Sequence, residues 1–134
     1  MSQTKTKIIK LTFRGFDISP AELESLVKIT ASRKATKGEL RKPYLLTTWP
    51  RSFVSFKLEF DPHKRIAEMV PALLLSLGGI DHLCKVRDLV NPEFLEIDMF
   101  LPVRHSEEQE DGYFPLEVIR DICILRATLG LSFP

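Results

Sequence analysis

Between Ser52 and Phe60 the chain reads Ser-Phe-Val-Ser-Phe-Lys-Leu-Glu-Phe, so Val54, Phe56, Leu58 and Phe60 share one parity and Ser55, Lys57 and Glu59 the other. A period of two marks a strand with one buried face. Four large apolar groups, at roughly 1.5–3 kcal/mol each on full burial, make this the strand beside which a sheet should assemble. Ile9, Leu11 and Phe13 alternate with Lys10, Thr12 and Arg14 in the same manner. That pattern predicts a first strand, ended by Gly15.

The helices announce themselves by their starts. In Asp17-Ile18-Ser19-Pro20-Ala21-Glu22-Leu23, Ser19 can accept from an orphan amide, Pro20 suits the first helical position, and Glu22 can reach back to the cap amide. Leu23, Leu26 and Val27 then form the buried stripe. Asp61-Pro62 repeats the signal, and Ile66, Met69, Val70, Leu73 and Leu77 recur at helical spacing up to Gly78-Gly79. Pro71 inside that pattern predicts a kink or two short helices. A last helix starts at Pro115 and is expected to turn Leu116, Ile119, Ile122 and Cys123 toward the core. Further strands are predicted where Leu95, Ile97, Met99 and Leu101 alternate with Glu96 and Asp98, and where Ala127, Leu129, Leu131 and Phe133 alternate at the end. Shorter strands are expected at Lys85–Leu89 and at Tyr44–Thr48, the latter broken by Trp49-Pro50.

This order contains no linker long enough to separate two cores, which predicts a single globular domain over residues 1–134. The half-polar strands suit an α+β fold better than a doubly wound parallel sheet, whose strands would be apolar on both faces. The expected architecture is a mostly antiparallel sheet of four to six strands with two or three helices packed on it, ferredoxin-like in spirit.

Composition adds limits. With 44% hydrophobic and 28% charged residues the chain is neither disordered nor fibrous, and a net charge of +1 argues against a general polyanion binder. Charge is nevertheless uneven. Lys28, Arg33, Lys34, Lys37, Arg41 and Lys42 face only Glu39 in a stretch read as an irregular connection, while Glu107, Glu108, Glu110 and Asp111 follow His105 in a stretch read as a solvated loop. Cys84 and Cys123 lie far apart in apolar surroundings, as packing thiols of a reducing compartment would. No apolar run of signal-peptide length follows the first lysines, and Met69–Ile80 is too short to span a bilayer. A soluble, cytoplasmic protein is expected.

Candidate chemistry is sparse. His82 and Cys84 are two potential metal ligands one residue apart, but zinc needs three or four and no Cys-x-x-Cys cluster accompanies them. Neither a metal nor a cofactor is implied. His63 and His105 read as surface residues, and Cys123 as packing. Cys84 as a nucleophile would need a base beside it, with His82 or His63 as the nearest choices. Arg51-Ser52-Phe53-Val54-Ser55-Phe56 departs from the aromatic strand of RNA-recognition domains at most positions. Arg41, Tyr44, Trp49 and Arg51 remain: either a basic-aromatic surface able to stack bases or grip an acidic partner, or a loop solvated by its cations while Trp49 caps the core.

A strand running into Gly15-Phe16-Asp17-Ile18-Ser19-Pro20-Ala21-Glu22-Leu23, then Lys37-Gly38, Trp49, an amphipathic helix, and a final Leu129-Gly130-Leu131-Ser132-Phe133 resembles the small bacterial domain-of-unknown-function family numbered 4279. The resemblance covers nearly the whole chain, although the last strand lacks that family's acidic residue and terminal tyrosine. It implies an α+β domain from a bacterium and assigns no activity. From the residues themselves the first expectation is a non-enzymatic protein-binding or accessory module, conceivably antidote-like. An enzyme whose pocket meets only in three dimensions, and a nucleic-acid-binding domain using residues 28–51, stand as alternatives.

Overall fold

The computed structural model describes residues 6–42, 44, 46–102 and 112–134. The predicted first strand becomes β1 (Lys7–Arg14), and the capping signal starts α1 (Pro20–Val27). Ser19 Oγ accepts from the Glu22 amide at 3.2 Å, while the Glu22 carboxylate accepts from the Ser19 hydroxyl rather than from the cap amide. Leu23 and Val27 are buried and Lys28 ends the helix in the left-handed region. There follow β2 (Arg33–Ala35), β3 (Phe53–Phe60), α2 (Ile66–Ser76), α3 (Ile80–Val90), β4 (Phe94–Phe100), α4 (Leu116–Leu125) and β5 (Thr128–Ser132). The result is an α+β fold with five strands in the order β2-β3-β1-β4-β5.

β1 sits in the middle, antiparallel to β3 on one side and to β4 on the other. Its neighbours are therefore parallel to each other and joined by α2 and α3 across it, the split βαβ arrangement of ferredoxin-like folds. Among the described strands only β4 and β5 pair in parallel, through α4, as a parallel neighbour requires. Ile9, Leu11 and Phe13 meet Phe56, Val54, Leu95, Ile97 and Met99 on one face, where Leu23, Val27, Met69, Leu73, Leu83, Val86, Val118 and Leu125 of the four helices close the core. All four helices contribute to that one layer. The opposite face carries no helix among the described residues.

Several elements differ from the sequence expectation, each for an identifiable reason. Residues Lys85–Leu89 lie in α3, not in a strand, because Leu83, Val86 and Val90 supply a helical inner stripe that extends past the short alternation. The helical layer thus has four members rather than two or three. Pro71 sits inside an uninterrupted α2, on its exposed side; the break comes at Gly78 and Gly79, whose φ of 101° and 92° turn α3 away by 64°. A Cβ at Gly78 would also lie 2.6 Å from His82 Cδ2, so this corner requires glycine. Asp61-Pro62 does not start α2: the Asp61 carboxylate accepts from the His63 amide at 2.8 Å and caps a turn, and the helix begins at Ile66. The basic connection contains β2 as an edge strand, whereas Tyr44–Thr48 forms no strand among its described residues, contributing one bridge from Thr48 to Leu40. α4 is rotated relative to the expected face: Val118 and Leu125 are buried, while Leu116, Ile119 and Cys123 are exposed.

Among the described residues, no single helix is long and apolar enough to cross a membrane. The acidic stretch at residues 107–111, and His105 before it, lie outside the described residues.

Candidate functional site

Because side chains alternate across a strand, the helix-free face collects Lys10, Thr12 and Arg14 from β1, Phe53, Ser55, Lys57 and Glu59 from β3, and Glu96, Asp98 and Phe100 from β4. The first half of β3 is consequently buried on both sides. Phe53 and Ser55 are as covered as Val54 and Phe56: a second piece of chain sets Trp49 against Phe53, and Thr12 hydrogen-bonds Ser55.

That piece is an arm whose two legs run from residue 38 to 42 and from 46 to 49. Gly38 N–H donates to the Trp49 carbonyl at 2.9 Å, Trp49 N–H to the Glu39 carbonyl at 2.9 Å, and Arg41 N–H to the Thr47 carbonyl at 3.0 Å. The ladder returns Trp49 onto the sheet, where its ring meets the edge of Phe53 with centroids 4.7 Å apart. Trp49 is half-buried on this open face and takes no part in the helix-covered core, so it does not cap that core.

Guanidinium groups lie around the touching pair of rings. Arg41 lies 4.7 Å from the Trp49 centroid, Arg33 lies 5.3 Å from Trp49 and 5.4 Å from Phe53, and Arg14 lies 5.5 Å from Phe53. Arg41, Arg33 and Arg14 thus form one cation-ring stack with Trp49 and Phe53, the two rings touching each other and the guanidiniums lying over them. Such contacts are worth roughly 0.5–1 kcal/mol each when exposed, so their chief effect is to hold the guanidinium planes in place. Arg14 is also held by Glu96 at 2.9 Å. Arg33 and Arg41 pair with no carboxylate among the described residues.

Beside the stack the sheet surface hollows into a concavity of about 330 Å³, lined among others by Lys10, Thr12, Arg33, Ser55, Lys57 and Asp98. Thr12 and Ser55 share a hydrogen bond of 3.0 Å in its floor. Asp98 stands at the β5 side, close enough to Gly130 that a Cβ there would lie 2.5 Å from Asp98 Oδ1 and turn the carboxylate aside. Burial, with Glu96 adding repulsion, pushes the Asp98 pKa up against the pull of Arg14 and Lys10. A carboxyl with a raised folded-state pKa binds its proton more tightly in the fold. Its contribution to stability is complete below the ordinary value of 3.8 and is lost as pH rises through the folded value. Asp98→Asn should therefore raise the melting temperature at neutral pH, with the gain fading as pH falls through the folded value and gone below 3.8. A gain unchanged by pH would show that the carboxylate is not responsible.

The four residues singled out from sequence separate in space. Arg41 and Trp49 join the stack. Tyr44 is 75% exposed on the arm, with Lys42 Nζ 5.9 Å from its ring centroid. Arg51 turns to the end of the sheet, pairing with Glu93 at 2.9 Å and lying over Phe94. Lys10, Arg14 and Asp98, which sequence reasoning did not single out, stand on the polar parity of β1 and β4, a pattern that reads as a wetted face; Arg33 lies in the basic stretch and Phe53 on the polar parity of β3, and the fold brings them to the site.

His82 and Cys84 do not converge on a ligand. The His82 ring nitrogen Nε2 donates to the Val27 carbonyl at 3.2 Å, which ties α3 to α1, and Cys84 packs near Arg87 and the Ile124 carbonyl. Cys123 is exposed, not packed inside, because α4 turns Ile122 and Leu125 inward instead. Among the described residues no three His, Cys, Asp or Glu side chains are grouped to hold a metal ion. No protein-family model matches the chain, and neither a curated protein nor a solved structure matches it.

Proposed function

We propose that this chain is a non-enzymatic protein-binding module, accessory or antidote-like in role, whose helix-free sheet face receives an acidic segment of a partner protein. The cluster of Arg41, Arg33 and Arg14 over the Trp49 and Phe53 rings carries the reading, because Arg33 and Arg41 are ordered by aromatic rings yet matched by no carboxylate among the described residues. A guanidinium fork suits a carboxylate with two parallel hydrogen bonds, and holding it on a ring beforehand reduces the ordering cost of binding.

Nucleic acid fits this face less well. Single-strand binding needs free ring surface on which bases stack. Here Trp49 and Phe53 already carry guanidiniums, and Glu59, Glu96 and Asp98 share the face with the cations.

The chain's single tryptophan lies in the site, so its emission reports occupancy directly. Titration with a short glutamate-rich peptide should change Trp49 emission saturably, and added salt should weaken the effect. Single-stranded RNA or DNA should give no retarded complex at physiological salt. A salt-sensitive complex with the oligonucleotide, together with no response to the peptide, would replace this reading with the nucleic-acid one.

A further inference from the structure

A second surface lies away from the stack, on α4 and β5. α4 has two apolar stripes. Val118, Ile122 and Leu125 face the core, and Leu116, Ile119 and Cys123, at i, i+3 and i+7, face outward, with Leu116 64% and Ile119 53% exposed. An outward stripe at this spacing is the seam along which a helix packs on another helix. α4 meets α3 and α2 on its inner side, so the stripe has no partner among the described residues.

β5, the strand that α4 leads into, closes one end of the sheet and pairs, among the described residues, only with β4. Its residues Thr-Leu-Gly-Leu-Ser contain no charge and no proline, the usual protections of an edge. Leu131 and, just after the strand, Phe133 are exposed beside it. One flank of the α4 stripe bears Glu117 and Arg120, one turn apart, and neither is paired with an opposite charge among the described residues. When two such helices lie antiparallel, Glu117 of each comes within a turn of Arg120 of the other, so the surface complements itself in charge as well as in shape.

We propose that α4 and the free edge of β5 form an interface with a second copy of this chain, the two β5 strands pairing antiparallel and the two α4 helices lying antiparallel beside them. Two-fold symmetry satisfies both elements at once, because an antiparallel edge strand supplies its twin with the missing hydrogen-bond partners. In a helix pair centred between Ile119 and Arg120, Leu116 of one copy lies opposite Cys123 of the other. The two Cys123 residues are then about 10 Å apart along the axis, too far to bridge.

Light scattering on the full chain should show the mass doubling as concentration rises through the micromolar range. Ile119→Glu should hold it monomeric with the melting temperature of the dilute, monomeric parent, since that side chain is exposed. Under mild oxidation Leu116→Cys should give a covalent dimer through the native Cys123, and the Leu116→Cys/Cys123→Ser protein should not. A monomer at every concentration, or a dimer indifferent to Ile119→Glu, would overturn the proposal. So would cross-linking of the unsubstituted chain through Cys123, or failure of Leu116→Cys to cross-link, and that second variant decides the matter even if Ile119→Glu does not fold.

Discussion

Replacing Phe56 with alanine should destabilise the fold by about 3–5 kcal/mol in denaturant or thermal unfolding. Phe56 is 2% exposed, stands opposite Leu11 of the central strand, and meets the Phe13 ring edge-on with centroids 6.4 Å apart. Truncation removes the transfer free energy of the ring and leaves a cavity between the sheet and the helical layer that strand backbones cannot close. Against a total stability of roughly 5–15 kcal/mol this is enough to unfold much of a marginal population at physiological temperature. Lys57→Ala, one residue on, should shift stability by no more than about 0.5 kcal/mol, because the lysine is exposed and its pairing with Glu59 at 3.1 Å is a surface contact. Equal, small losses at both positions would mean that β3 is turned the other way.

Reversing Arg33 and Arg41 together to glutamate should weaken binding of a glutamate-rich peptide by about 100-fold in titration calorimetry. A hydrogen bond to a charged group contributes roughly 1.5–3 kcal/mol, and each 1.4 kcal/mol is a factor of ten, so losing two such forks reaches that figure even with partial compensation. Both side chains project from an edge strand or an arm, away from the core, and the fold should tolerate the change. Arg51→Glu is the contrast. That guanidinium is already engaged by Glu93 and Phe94 at the end of the sheet, so its loss should leave peptide affinity within a few-fold. Equal damage from Arg51→Glu would move the binding surface off the stack.

Much of the fold could be read from the sequence because its signals are local. The alternation in β1, β3 and β4, and the Ser19-Pro20 start of α1, survive into the structure since each buries side chains or satisfies amides where it stands. The misreadings came where two local signals competed. Five residues of α3 mimic a strand, and Pro71 looks like a break although Gly78-Gly79, with no side chain to oppose a positive φ, is where the chain turns. α4 misled for a different reason: with apolar residues on both sides, its periodicity names two inner faces and tertiary packing chooses one.

The candidate site was only half legible. Arg41 and Trp49 stood out as a basic residue and the single tryptophan, yet their spacing has no period because the arm, not a strand or helix, brings them together. Arg33 belongs to β2, a strand of three residues whose only cue is its partner Ser55 in β3. Phe53 lies on the polar parity of β3, so alternation alone assigned it to water. A long-range fold-back makes the site, and long-range pairing is the part of structure that local pattern encodes least.

The most direct measurement is amide chemical-shift mapping by NMR while the glutamate-rich peptide is added. The perturbed amides should cluster on Lys10, Thr12, Arg33, Arg41, Trp49 and Phe53, with α4 and β5 unmoved. Perturbations confined to the helical layer, or none at peptide concentrations that saturate Trp49 emission, would contradict the assignment of the open sheet face as the binding surface.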